Sequence, residues 1–202
     1  MMNKSTQTRE KILRKGFEYA SSFGLLSVTI GEIAKAALMS RTGVISHFAN
    51  KEDMQIAILK YTEQMFVESV LKRAYCQDPI DNLHNLKVIW LNWATSLNRQ
   101  HKTSCPFIKA AIEYKDRDAG LIKAYMQDQQ QRLLSYLSDL VERCKACGDF
   151  KQSTDSELFA YEFYSLYLGH SIQKNLLESK QAEQRFYLLI EQLISRHLSV
   201  AK

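Results

Sequence analysis

Apolar residues recur at three- and four-residue intervals along most of the chain, a period that predicts helices rather than strands. Near the N-terminus, Ile30, Ile33, Ala34 and Ala37 form one small apolar stripe, and Val44 and Phe48 share a face a short way on. Downstream, the pattern predicts helices over about Lys51 to Tyr75, Asp81 to Asn98, Pro106 to Tyr114, Leu121 to Cys147, Asp155 to Leu177 and Gln181 to Ser199. Breaks fall at Asp78-Pro79, in a polar loop before Pro106, in the turn Lys115 to Gly120, and at Gly148. Only two prolines and seven glycines punctuate 202 residues, and no Asn-Gly or Asp-Gly hairpin dipeptide occurs. With three N-terminal helices, the expected fold is all-α with about nine helices.

The stretch Thr29 to Phe48 reads as two short helices joined by a tight turn, the unit that places a helix in the major groove of DNA. Thr29 followed by Glu32 is a capping box, in which the Thr29 hydroxyl caps free amides and Glu32 reaches back to the Thr29 N–H. Ser40 is a second N-cap. The eight residues after it direct Val44 and Phe48 inward and leave Arg41, Thr42 and Ser46 on a polar face. Taken alone, this is also compatible with an ordinary helical hairpin packed in a core.

Charge is unevenly placed, in keeping with DNA binding and also with a solvated basic helix face. Residues 1–50 hold seven Lys or Arg against three Glu, net +4, whereas residues 51–202 are nearly balanced at net +1. Lys4, Arg9, Lys11, Arg14 and Lys15 precede the hairpin, where phosphate neutralisation would make affinity fall with salt. The first apolar cluster, Ile12 and Leu13, is brief, and no stretch nears the ~18 apolar residues of a membrane span, so a soluble cytoplasmic protein is expected. Cys76, Cys105, Cys144 and Cys147 form no disulfide framework. Cys144 and Cys147 are spaced Cys-x-x-Cys, but no second pair completes a zinc site, and no metal or cofactor is expected. An all-α thiol enzyme would need Cys105 or that pair beside His84, His101, His170 or His197, and no motif brings a thiol and an imidazole together.

From about Thr6 to Phe66 the chain resembles the TetR family of bacterial repressors. The resemblance rests on Thr29, Ala34, Ala37, Ser40, Gly43, His47, Phe48, Lys51 and Glu52 in that order. Two positions depart from the family pattern. Leu38 stands at the usual turn glycine, so the turn is expected to be mildly strained or differently shaped. Ile45 stands at a usual tyrosine, exchanging a phosphate-bonding hydroxyl for a group suited to a thymine methyl or to packing. The resemblance implies a helix-turn-helix DNA-binding domain over residues 5–66 and an effector-binding and dimerisation domain over 67–202. On this reading Arg41 contacts a base edge, Thr42, Gly43, Ile45 and Ser46 shape that surface, and Thr29, His47 and Lys51 hold phosphates.

Cys105 to Gly120 looks like a stretch in the effector domain of one subset of TetR-type regulators. Within it, Glu113, Asp116 and Arg117 either contact a polar ligand or, the favoured reading, stabilise a turn. Trp90, Trp93, Phe107, Tyr114, Tyr125, Met126, Tyr164, Tyr167 and His170 are candidates to line a small-molecule pocket; aromatics are also what a core of this size needs. Leu158, Phe159, Phe163, Leu166, Tyr167 and Ile172, with Phe186, Leu189, Ile190, Leu193 and Ile194, exceed what one helix pair must bury. The resemblance assigns residues 155–199 to a four-helix homodimer interface. The expected function is a ligand-responsive repressor on an inverted-repeat operator, with an effector-independent or architectural DNA-binding protein as the alternative.

Overall fold

The computed structural model describes residues 4–96, 105–117 and 120–199; His101, the polar loop around it and part of the turn before Gly120 lie outside them. Among the described residues there are nine helices and no strand: α1 (Lys4–Phe23), α2 (Ile30–Ala37), α3 (Arg41–Ile45), α4, α5 (Pro79–Ser96), α6 (Pro106–Tyr114), α7 (Gly120–Cys147), α8 (Ser156–Asn175) and α9 (Ala182–His197). Helix α4 begins as Lys51–Phe66 and runs on through a π turn, Val67–Leu71, into Lys72–Ala74. An isolated antiparallel bridge joins Phe150 to Leu198.

The chain divides into two compact units. One comprises residues up to Glu68 together with 94–128, and the other residues 69–93 and those from Gln129 onward. The boundary after Glu68 falls in the π turn. The boundary expected at residues 66–67 lies two positions from this one, and the two divisions differ in the side to which α6 is assigned.

In the first unit Ile12 and Phe17 of α1, Ile33 and Ala37 of α2, Val44 of α3 and Met54 and Ile58 of α4 build the core. Helices α1 and α4 meet at Gly16, where a methyl group would lie 2.3 Å from Ile58 Cδ1. In the second unit the core comes from Leu83, Leu86 and Trp90 of α5, Leu137 and Val141 of α7, Phe159 and Phe163 of α8, and Phe186, Ile190 and Leu193 of α9. The last two helices split their apolar residues into two stripes. Phe159, Phe163, Tyr167, Phe186, Ile190, Leu193 and Ile194 are buried, while Leu158, Tyr161, Ile172, Leu188 and Leu189 are exposed.

The turn between α2 and α3 keeps the geometry of a glycine turn without the glycine. Leu38 sits at φ 54°, ψ 51°, in the left-handed region. Its N–H donates to Lys35 O at 3.1 Å and the Met39 N–H to Ala34 O at 2.9 Å, the paired bonds of a Schellman motif. The C-terminus of α7 makes the same two bonds, Gly148 N–H to Lys145 O and Asp149 N–H to Cys144 O, each 3.0 Å, with glycine at φ 84°. The turn is therefore strained rather than reshaped: Leu38 carries the cost of a Cβ in this conformation, and its side chain is 90% exposed. Removing that strain, of order 1–2 kcal/mol, outweighs the ~0.4–1 kcal/mol by which glycine loosens the unfolded chain. Leu38→Gly is expected to stabilise the protein by roughly 0.5–1 kcal/mol, seen as a higher urea midpoint at unchanged slope; Leu38→Ala, which keeps the Cβ, leaves the midpoint nearly where it was.

Candidate nucleic-acid interface

The N-terminus of α2 is fixed by Thr29, whose Oγ1 accepts the Glu32 N–H at 3.2 Å. The reciprocal arm expected of a capping box is not its partner: the Glu32 carboxylate accepts from Lys35 Nζ at 2.8 Å, an i,i+3 pair on the helix surface. Ser40 caps α3 by accepting the Gly43 N–H at 3.0 Å. Val44, fully buried, anchors α3, and Phe48 follows at 6% exposure.

This anchoring leaves Arg41, Thr42, Ile45 and Ser46 exposed and Gly43 and His47 partly so. The Ser46 hydroxyl donates to Gly43 O at 3.0 Å, so it shapes the backbone as well as the surface. The Arg9 guanidinium lies 5.2 Å from the centre of the Phe48 ring, which brings the basic side of α1 beside the end of α3. Lys51 opens α4, a helix capped by Asn50 Oδ1 at the Asp53 N–H, 2.8 Å, and its Nζ reaches Leu26 O at 3.5 Å. Thr29, Arg41, Thr42, Gly43, Ile45, Ser46, His47 and Lys51 thus all belong to one short stretch around the α2–α3 turn. What it offers chemically is a guanidinium, hydroxyls, an ammonium and one aliphatic side chain.

Sequence reasoning missed the residues that hold this stretch in place. Helix α1 ends at Phe23, and each of its last four carbonyls has a partner. Ala20 O accepts the Gly24 N–H at 2.9 Å, Ser21 O and Ser22 O both accept Lys109 Nζ at 2.7 Å, and Phe23 O accepts the Ser27 hydroxyl at 3.0 Å. One turn along α6 from Lys109, Glu113 accepts the Leu26 N–H at 3.1 Å. The Glu113 carboxylate also fills the space beside Gly24, where φ is +84° and a methyl group would lie 1.7 Å from Oε1. Gln55 completes the clamp from α4, its Nε2 donating to Leu25 O at 2.8 Å and Val28 O at 3.3 Å. Glu113 therefore holds the α1–α2 loop, not the turn after α6, which is stabilised by Arg117 Nε on Glu113 O at 3.1 Å. A Lys and a Glu four residues apart on a helix are common enough that no sequence signal marks these two. Gln55, a polar residue among apolar neighbours, was the visible clue.

The candidate pocket residues fall into two groups, one in each unit. In the second, Trp90 stacks near Phe163 and Tyr164, at centroid distances of 5.9 and 6.1 Å, and lies 4.7 Å from Tyr167. Trp93 is buried on the same helix. His170 is committed to structure: its Nδ1 lies 3.1 Å from Ala182 O, the geometry of an N–H donor, with the Phe186 ring 5.3 Å away. In the first unit Phe107, Tyr114 and Met126 are buried, and the Tyr125 hydroxyl donates to Glu63.

Neither buried thiol is activated, since burial pushes Cys105 up to about 11 and Cys144 up to about 12. The described histidines of the thiol-enzyme alternative are engaged elsewhere, His84 with Lys87 and Glu191, His170 with Ala182, and His197 with Thr154. Among the described residues no helix is long and apolar enough to cross a membrane.

Known proteins resemble this chain in both its N-terminal and its C-terminal parts. Residues 12–58 match the family model described as bacterial regulatory proteins, tetR family, and residues 79–190 the one described as tetracyclin repressor-like, C-terminal domain. The HTH-type transcriptional regulator AcrR of Shigella flexneri is 25% identical over 147 residues, 72% of this chain and 66% of the relative's length. A TetR transcriptional regulator from Chloroflexus aurantiacus superposes with a TM-score of 0.85 at 18% identity, covering 99% of this chain and 100% of that one. A TetR-family regulator from Cytophaga hutchinsonii gives 0.81 at 17% identity, with both chains covered fully.

Two outcomes follow from the clamp and from His170. Lys109→Met strands two carbonyls at the end of α1; it is expected to cost about 1–3 kcal/mol in urea unfolding and to speed hydrogen exchange selectively in the amides of residues 24–28. His170 is held below its ordinary pKa chiefly by burial. The unfolded chain then takes up a proton before the native state does, so stability declines as pH falls from about 6.5 towards the depressed native value, and flattens below it. His170→Gln should reduce that slope, as followed by thermal melts between pH 7.5 and 5.

Proposed function

The chain belongs to the TetR family of DNA-binding transcriptional regulators, and on that footing we propose that it is a dimeric repressor released from an inverted-repeat operator by a small-molecule effector. The observation that carries the ligand-responsive part is the seat of α6. This helix lies within the stretch that matches the C-terminal family model, yet its Lys109 and Glu113 grip the end of α1 and the loop leading into α2. A displacement of α6 would be felt where the α2–α3 pair is set. An effector acts through that seat only by binding one placement of α6 more tightly than the other.

Arg41 is proposed to contact a base edge, its fork suited to the O6 and N7 acceptors of guanine. Thr42, Gly43, Ile45 and Ser46 form the rest of that surface, and Thr29, His47 and Lys51 take phosphates. Two copies are proposed to pair through the exposed stripe of α8 and α9, including Leu158, Tyr161, Ile172 and Leu189, which one chain leaves uncovered. A two-fold dimer reads half-sites about one helical turn, roughly 34 Å, or a multiple apart. The candidate pocket residues, Phe107, Tyr114, Tyr125 and Met126 in the unit that holds α6 and Trp90, Trp93, Tyr164 and Tyr167 in the other, are proposed to receive the effector, and the family's role implies a cytoplasmic protein.

Selection of bound sites from random duplex DNA at near-physiological salt tests this reading. An enriched inverted repeat is expected; salt-sensitive binding without enrichment would instead favour an architectural protein. On the enriched site Lys51→Ala should weaken all sequences alike and lower the slope of log affinity against log salt by about one. An unchanged slope would remove Lys51 from the phosphate contacts.

A further inference from the structure

Helix α2 carries a glycine, Gly31, at its second position, where alanine is the better helix former. The backbone does not ask for it: Gly31 is absent from the positive-φ glycines, which among the described residues are Gly24, Gly120 and Gly148. What the glycine provides is room. A methyl group built on Gly31 would stand 3.2 Å from Nη2, 3.4 Å from Nε and 3.5 Å from Cζ of Arg41. The guanidinium, carried by the first residue of α3, thus lies against the bare backbone of the first turn of α2. The neighbouring Glu32 carboxylate is taken up by Lys35, whose Nζ donates to it at 2.8 Å.

An exposed arginine ordinarily samples many rotamers, and ordering it on binding opposes affinity. A flat seat against the bare backbone of α2 narrows that sampling before DNA arrives. Since a bidentate contact depends on the direction of the fork, the seat sets which base edge the fork can meet. We propose that Gly31 is a specificity-positioning residue: it touches no base itself, and by leaving its Cβ position empty it orients Arg41 for base readout. The inference rests on α3 being the DNA-reading helix.

The test is a double-mutant cycle on the operator that the wild-type protein enriches from random DNA. Arg41→Ala should weaken binding by roughly five- to hundredfold, as expected of a bidentate base contact. Gly31→Ala, which asks the guanidinium to give by a few tenths of an ångström, should weaken it less. Gly31→Leu, which fills the seat, should approach the loss seen for Arg41→Ala and relax preference at the same base pair. In an Arg41→Ala background both Gly31 variants should change affinity by less than about twofold, because the residue they displace is gone. Thermal melts check that the variants fold, alanine and leucine both favouring helix over glycine.

Equal losses in the two backgrounds would mean that the new side chain strikes DNA directly, and would overturn the proposal. So would full affinity for Gly31→Leu, or for Arg41→Ala. If the wild-type protein enriches no site, it is the reading of the chain as a sequence-specific regulator that fails, and this inference with it. An enriched site with no coupling in the cycle removes Gly31's role alone.

Discussion

The loop between α1 and α2 is held chiefly from outside itself. Residues 24–28 follow a helix whose terminal carbonyls point into them, and the helix that starts at Ile30 must leave in a direction that presents α3 outward. Backbone groups left without partners in such a place cost several times what a made bond returns. Here side chains from two other helices and from the loop supply the partners: Lys109 and Glu113 from α6, Gln55 from α4 and Ser27 from the loop. Lys109 also sets a positive charge at the negative end of the α1 dipole. The placement of the α2–α3 pair therefore depends on α6, far along the chain, as well as on the helices that surround it in sequence.

Local chemistry was legible in the sequence, and distant chemistry was not. The caps at Thr29 and Ser40, the stop at Gly148 and the start of α6 at Pro106 follow from residues that act on neighbours within four positions. The residues around the turn were legible for the same reason, since Val44 inward fixes Arg41 and Thr42 outward. The Lys109 contacts join residues 87 and 88 positions apart, and no period or motif encodes them. Between these extremes lies Glu32. Its spacing from Thr29 suits a capping box, but Lys35 on the same face offers its carboxylate a full charge rather than an amide dipole, and the charge wins.

Gly31 and Leu38, seven positions apart, are two departures from local preference, one at the start of α2 and one in the turn. Leu38 places a branched side chain where glycine belongs, and Gly31 places glycine where a side chain belongs. Only the second has a packing reason in the structure, the seat of Arg41. Nothing in the structure explains the first: the Leu38 side chain is 90% exposed, so it returns no burial for the strain it carries.

Helix α3 spans five residues, Arg41 to Ile45, far below the length at which a helix persists in water. Its only deep anchor is Val44, with Phe48 just beyond its end and Ser40 closing its first turn. Such a helix has no stiffness of its own and takes its direction from what it packs on, namely α2 through the Schellman turn and the core formed with α1 and α4. Its exposed face consequently follows α2, and α2 leaves from a loop whose amides and carbonyls are held by Lys109, Glu113 and Gln55. With α3 as the proposed DNA-reading helix, a shift of α6 relative to α1 would change what it presents without melting or bending it.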